Sequence, residues 1–361
     1  FLFLVSRHSD LQYQRDKLLV LININKTEIE VLNRNFHRLP EGNEFKDPLH
    51  SFSPDIELFG TGALDQYLNR TALQHGSETL AVVFTENTIE NIVQKQEAIR
   101  ELAKLPEWRQ EFSALASLIK TEVSTPEIVS WAQKYISFVP KIMKWLPTVF
   151  SILSIGIFIG YFTDAVPGSA MIIWLVIGLG ITGLYVKRVN KISSDTDGIR
   201  NTFRQYQKLI FQIEETHFAS KLLDLRKNRI LHEKKKVSNV VKEFSEILDA
   251  LDQRNNMIFG FIGNAFLLWD LRQCFKLEQW IQTYGNDLEQ WFNAIAFFDA
   301  YNSLGNFAFN HPKYSFPILT DGDIVLKSTQ AGHPLLDPSK SILNDIHIDK
   351  EQFFIITGGN M

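Results

Sequence analysis

The chain has 361 residues, with 37 Lys and Arg against 41 Asp and Glu and a net charge of -4. That length allows two or three domains, and so even a charge balance leaves nucleic-acid contact only to local basic patches. The single cysteine, Cys274, excludes an internal disulfide and any multi-cysteine metal site.

In chain order, the opening "FLFLV" (Phe1–Val5) is too short for a signal peptide or a membrane span, and reads as the tail of an upstream one. With no initiator Met, the chain reads as an internal piece of a longer protein. Asn91–Lys120 has apolar residues at i, i+3, i+4 spacing, interrupted at Pro106, and predicts helix. From Trp145 to Val186 the only charged residue is Asp164. Two apolar runs, Trp145–Phe162 and Ala165–Val186, meet at the turn "TDAVPGS"; each approaches the roughly 20 residues that cross a bilayer as a helix. Gly156 and Gly160 form a small-residue pair that could serve as a helix contact face. Trp145, Tyr161 and Tyr185 stand near the run ends, as interfacial aromatics do. Lys141 and Lys144 precede the hairpin and Lys187, Arg188 and Lys191 follow it, so the positive-inside rule puts both ends in the cytoplasm. This predicts a transmembrane hairpin; the competing reading is a helical hairpin buried in a soluble core.

Ile199–Leu225 and Lys234–Leu251 read as long amphipathic helices, and the aromatic-rich stretch from Met257 to Phe309 as further helix. Within them lies a basic run, Lys221–Lys242. It includes Arg226, Lys227, Arg229, Lys234, Lys235 and Lys236 and is opposed only by Asp224 and Glu233. Three readings stay open: DNA phosphate contact, anionic lipid contact and a solvated helix face. Glu214 and His217 form one helical Glu/His pair, too few ligands for a metal; no metal site and no catalytic group is assigned. Glu97 and Glu101, like Asp55 and Glu57, read as surface charge. Past Pro312 the texture changes to short β-branched and aromatic runs, "YSFPIL", "DIVLKST" and "FFIITG", between Gly, Pro and Asp turns, which predict strands. The last runs into Thr357, Gly358, Gly359, Asn360 and Met361, the spacing with which a phosphate-binding loop begins.

"TGGNM" resembles the start of the T-G-x-N-M-x-G-K-S loop of the MutS family of DNA mismatch-repair ATPases. "AGHPLL" (Ala331–Leu336) is similar to that family's His-Pro turn, "ILNDIHID" (Ile342–Asp349) to its Asn-Asp stretch, and "FFDAYNSLGNFAF" (Phe297–Phe309) to the helix entering its ATPase domain. "FPIL" (Phe316–Leu319) resembles the strand that follows. "ELFGTGALDQYLNRTALQHGSETLA" (Glu57–Ala81) and "IVQKQEAIREL" (Ile92–Leu102) resemble the segments that open its core, with Lys95 where Arg is common. The hairpin falls inside the family's lever and clamp region, so the resemblance is to a membrane-bound side branch.

The resemblance implies a mainly α fold, with a long-helix core and lever, a transmembrane helical hairpin and the first strands of an α/β P-loop ATPase domain. The expected divisions are an N-terminal segment (1–55), a first stretch of helical core (56–140), the hairpin (141–189), a second stretch of core with the lever (190–310) and the start of the ATPase domain (311–361). It implies a homodimeric, DNA-repair-type ATPase of a bacterial-type inner membrane, with the bulk of the chain cytoplasmic and both DNA and the lipid bilayer as partners. ATP and Mg²⁺ are expected only in the full-length protein, because the loop Lys and Ser/Thr are absent here. Thr357–Met361 would line the phosphates, and Ile342, Leu343 and Asn344 would lie by the base. A non-enzymatic membrane scaffold, using its long helices for dimerisation or partner binding, is the alternative.

Overall fold

The computed structural model describes residues 2–119, 123–232, 235–321, 324–337 and 339–349. They are mainly helical. Helix α1 (Leu2–Leu32) is continuous, although no apolar periodicity announces it; its apolar residues are scattered, with Leu4, Leu11, Leu18 and Ile22 all exposed. It is held to the body by polar contacts, Lys17 to Glu111 at 2.9 Å and Glu28 to Arg70 at 2.6 Å. Helices α2 (Leu64–Leu68), α3 (Gln74–Thr85), α4 (Ile92–Ala103), α5 (Pro106–Ser117) and α6 (Thr125–Lys134) follow. The helix expected over Asn91–Lys120 is thus two helices. Pro106 opens the second from its first turn, where its missing N–H costs nothing. Ser124 and Glu127 close a reciprocal capping box at the start of α6.

The hairpin forms as α7 (Leu146–Phe162) and α8 (Gly168–Gly183), followed after a break by α9 (Val186–Glu215). Helix α9 starts well before the expected Ile199. The polar run Lys187–Gly198 is a weak helix former by composition, but it keeps Val189, Ile192, Thr196 and Ile199 on one buried stripe, and that stripe carries the helix. Then come α10 (Lys221–Asn228), a two-residue ribbon of β1 (Leu231–His232) and β2 (Lys235–Lys236), and α11 (Val237–Asp252). The order closes with α12 (Met257–Leu267), α13 (Trp269–Tyr284) and α14 (Leu288–Asn310), then strands β3 (Ile324–Ala331) and β4 (Asn344–Asp349).

One core joins α4–α6, α9–α11, α13 and α14. Phe112, Phe203, Phe244 and Phe298 are fully buried in it. Phe244 lies 4.3 Å from Phe203 and 4.4 Å from Trp280 between ring centroids. Two of the indoles there find acceptors, Trp280 on the Val240 carbonyl at 2.9 Å and Trp108 on Thr216 Oγ1 at 2.7 Å, so these large rings are buried with their N–H groups paired. Trp269 likewise donates to the Ala250 carbonyl. Ion pairs of Arg200 with Asp252, and of Arg204 with Asp249 at 2.7 Å, bind α9 to the end of α11.

The C-terminal region departs from expectation. Strands β3 and β4 pair antiparallel, with Lys327 opposite His347. "FPIL" forms no strand: Pro317 lacks a ladder donor, and the segment instead docks on α4, with Arg100 over the Phe316 ring at 4.5 Å and Gln96 donating to the Pro317 carbonyl at 2.8 Å. "FFIITG" and the glycine turn Thr357–Met361 lie outside the described residues, as does Lys234.

Among the described residues no single helix is long and apolar enough to cross a membrane; α8 and α9 pass that test only together, across a 58° bend. The two apolar runs are trimmed by their own ends. The Pro-Gly turn consumes 163–167, and the break at Leu184 and Tyr185 shortens the second helix. The hairpin arms are 17 and 16 residues, or about 25 Å at 1.5 Å per residue.

Candidate functional site

The site built by the hairpin is an apolar lobe. Ile152, Ile155 and Ile159 of α7 and Ile172, Ile173 and Val176 of α8 are each about 60% exposed, and Phe162 is 80% exposed. A hairpin packed inside a soluble body would bury these side chains, so that competing reading does not fit. The arms hold each other by Phe150 stacked on Trp174 at 4.4 Å and by Trp174 Nε1 donating to Ser154 Oγ at 2.8 Å. The expected contact face at Gly156 and Gly160 is not one. Gly156 faces open space, and Gly160 receives only Val166 of the turn. The close approach is at Gly178, where a Cβ would overlap the carbonyl of Ala265 in α12. Ser154 Oγ also donates to the Phe266 carbonyl at 2.7 Å. A third apolar helix therefore completes the lobe. Sequence reasoning missed its place because α12 lies about 80 residues further on, in a stretch whose apolar residues looked like ordinary core. Around the base of the lobe Lys141, Lys144, Lys187, Arg188 and Lys191 are exposed, as is Trp145.

The basic run is largely consumed by the protein itself. Arg226 is half-buried with its guanidinium 4.8 Å from the Phe297 ring centroid, and burial lowers its pKa. Lys227 donates to the Thr216 carbonyl at 2.6 Å, satisfying the C-terminus of α9. Lys235 pairs with Glu243 at 3.3 Å, Lys242 with Glu246 at 3.4 Å, and Lys236 with Glu215. Among the described residues Lys221 and Arg229 are the members of the run whose side chains have no partner. The run therefore presents far less free charge than its composition suggests.

Of the positions expected at a nucleotide base, Ile342 and Leu343 are exposed at 82% and 51%, just before β4, and Asn344 begins that strand. The phosphate positions Thr357–Met361 lie outside the described residues.

The resemblance segments at the two ends of the core meet. Asp299 of α14 is fully buried and accepts the backbone N–H groups of Ala72 and Leu73 at 3.0 and 2.9 Å; Ser303 accepts that of Arg70 at 3.0 Å. Gly76 of α3 has no Cβ because one would overlap the Asp299 carboxyl, and Gly305 of α14 lets Leu102 of α4 approach. Burial pushes Asp299 up to about 7, while the two backbone donors pull it the other way. Other carboxylates read as surface charge, or left unread, play the same role. Glu101 accepts Ala219 and Ser220 N–H groups at 2.7 and 2.6 Å at the start of α10. Glu214 does so for Ser238 at the start of α11, and is thus a cap rather than half of a metal pair. A cavity of about 530 Å³ between α1, α3, α5 and α14 is lined by Glu28, Arg70, Arg109 and Asn302. No family model, no curated protein and no solved structure matches the chain.

Proposed function

We propose that the chain is the membrane-anchored body of a MutS-like protein which, at full length, binds and hydrolyses ATP and couples that cycle to a helical lever. The observation that carries the reading is the junction at Asp299. The segments resembling the family's core and its ATPase-entry helix, some 226 residues apart, lock onto one another through a buried carboxylate. That contact supports reading them as parts of one mechanical unit. The outward-facing apolar side chains of α7 and α8 support the anchor, because exposing so much contiguous apolar surface to water is costly and marks an interaction site. Arms of about 25 Å are short for a hydrocarbon core of about 30 Å; local thinning and the basic and aromatic collar at the base accommodate that mismatch. The hairpin then begins and ends on the cytoplasmic side of a bacterial-type inner membrane, where the collar meets anionic headgroups.

In this reading ATP supplies the free energy and Mg²⁺ its charge neutralisation in the whole protein. Ile342, Leu343 and Asn344 would touch the base and Thr357–Met361 the phosphates. DNA and a second copy are candidate partners. The test uses the full-length protein in liposomes. Mg²⁺-dependent ATP turnover that stays with the vesicles through alkaline carbonate washing is expected. Release by carbonate would remove the anchor. Vesicle-bound protein without turnover would remove the ATPase and favour the second reading, a membrane scaffold. That reading draws its support from the basic run, whose charges are spent on internal glutamates and helix ends.

A further inference from the structure

We infer that α12 is a third membrane element: a half-depth helix that enters the lipid beside the hairpin and leaves on the same side. The inference rests on the anchor reading above and extends it to a segment distant in sequence. Its eleven residues, "MIFGFIGNAFL", carry no charge and span about 16 Å, roughly half of a bilayer's hydrocarbon core. Its C-terminal end, at Ala265 and Phe266, is pressed onto the hairpin at Gly178, Ser154 and Phe158, the last at 4.9 Å between ring centroids. The N-terminal half of the same face is bare: Met257 is 87% exposed, Ile258 72%, Phe261 51% and Ile262 50%.

The helix is pinned so that it returns to the side from which it came. Arg254, just before it, is ion-paired at 3.0 Å with Asp270, just after it. Its N-terminus is capped by the Asn256 side chain, and its end turns sharply through Leu268 in the left-handed region, φ 49°. Trp269 then folds back edge-on against Phe259 at 5.2 Å, which aims α13 into the core. Asn264, its one strongly polar side chain, has its amide oxygen occupied by the Asp270 N–H at 3.0 Å, which lowers the cost of bringing it beside lipid. Lipid is the occupant that this bare face fits. The face abuts a hairpin that is itself apolar outward, and the exposed basic residues nearest the lobe, Lys141, Lys144, Lys187, Arg188 and Lys191, collect at its base. That distribution suits anionic headgroups around an inserted wedge.

Depth-dependent quenching tests this. Single cysteines at Ile258→Cys, Phe261→Cys and, on α7, Ile155→Cys are labelled with an environment-sensitive fluorophore; the native Cys274 is fully buried and leaves little background. The labelled protein is reconstituted in phosphatidylcholine and phosphatidylglycerol vesicles with a nitroxide quencher near the headgroup or near the chain end. Expected are strong quenching at 258 and 261 by the shallow quencher, about twofold above the deep one, and deep quenching at 155. If 155 is quenched while 258 and 261 are not, α12 lies outside the lipid, in water or under a second copy, and the inference is overturned with the anchor intact. If none of the three is quenched, the anchor reading fails and the inference with it.

Discussion

The Leu73 backbone N–H donates to the carboxyl of Asp299 at 2.9 Å, across 226 positions of sequence, and the Asp299 side chain is fully buried. Burial and the two N–H donors act on this group in opposite directions, and burial prevails, holding its pKa near 7 against an ordinary 3.8. The folded state therefore binds this proton more tightly than the unfolded chain. Its contribution to stability is complete below the unfolded pKa and is lost as pH rises through about 7. Asp299→Asn cannot titrate. The Tm advantage of the native protein over this variant is expected to be largest near pH 4 and to shrink toward pH 8. A gap that widened with pH would mean that the anion, not the acid, is the favoured form. Asp299→Ala leaves two buried donors unpaired and is expected to cost about 2–4 kcal/mol in chemical denaturation.

Such contacts set the limit of what the chain's letters disclose. The amphipathic stripes of α4, α5 and α11 were legible because apolar residues recur there at helical spacing. The apolar hairpin was legible because 42 residues with one charge stand out. Asp299, Glu101 and Glu214 were not, because a carboxylate that caps a helix distant in sequence looks like any other carboxylate. Nor could composition show that Lys227 ends α9 or that Arg226 lies on Phe297. The hairpin arms were overestimated because hydropathy counts apolar letters, whereas the Pro-Gly turn and the break at Tyr185 decide where helix stops.

Gly178 and Gly156 look alike in the sequence and differ in space. A side chain at 178 would overlap the Ala265 carbonyl, whereas 156 faces open surroundings. Gly178→Ala is expected to push α12 off α8 and lower the Tm in detergent by several degrees, as overpacking does. Gly156→Ala should leave it unchanged or raise it slightly, since Ala is the better helix former by roughly 1 kcal/mol in aqueous hosts. Equal effects at the two sites would mean that the contact with α12 is not made.

The basic run separates into structural and free charges. Lys227→Ala, which uncaps the Thr216 carbonyl, is expected to destabilise the protein by about 1 kcal/mol and to leave any salt-dependent retention of DNA on filters unaltered. Lys221→Ala combined with Arg229→Ala should do the reverse: little change in Tm, and a shallower salt slope if DNA is held here. A native protein retained equally at low and high salt would exclude the run as a phosphate site.

Glu278 decides how the lobe is joined to the body. Its carboxyl accepts the Tyr135 hydroxyl at 3.1 Å and the backbone N–H groups of Phe138 at 2.7 Å and Val139 at 3.2 Å, fastening the chain entering the hairpin to α13. Burial raises its pKa and the hydrogen bonds oppose that. Helix α13 also begins where α12 ends, so one helix holds both entrances to the lobe. With Glu278→Ala, three donors lose their acceptor and the segment from Tyr135 to Pro140 should open locally before the core does. Limited proteolysis is expected to cut there first, at least several-fold faster than in the native protein, while near-ultraviolet circular dichroism of the aromatic core around Trp280 stays native. Glu278→Gln keeps one acceptor oxygen and should fall between the two. If Glu278→Ala is cut no faster than the native protein, or loses the core signal together with the segment, the hinge at this carboxylate is not a separate unit.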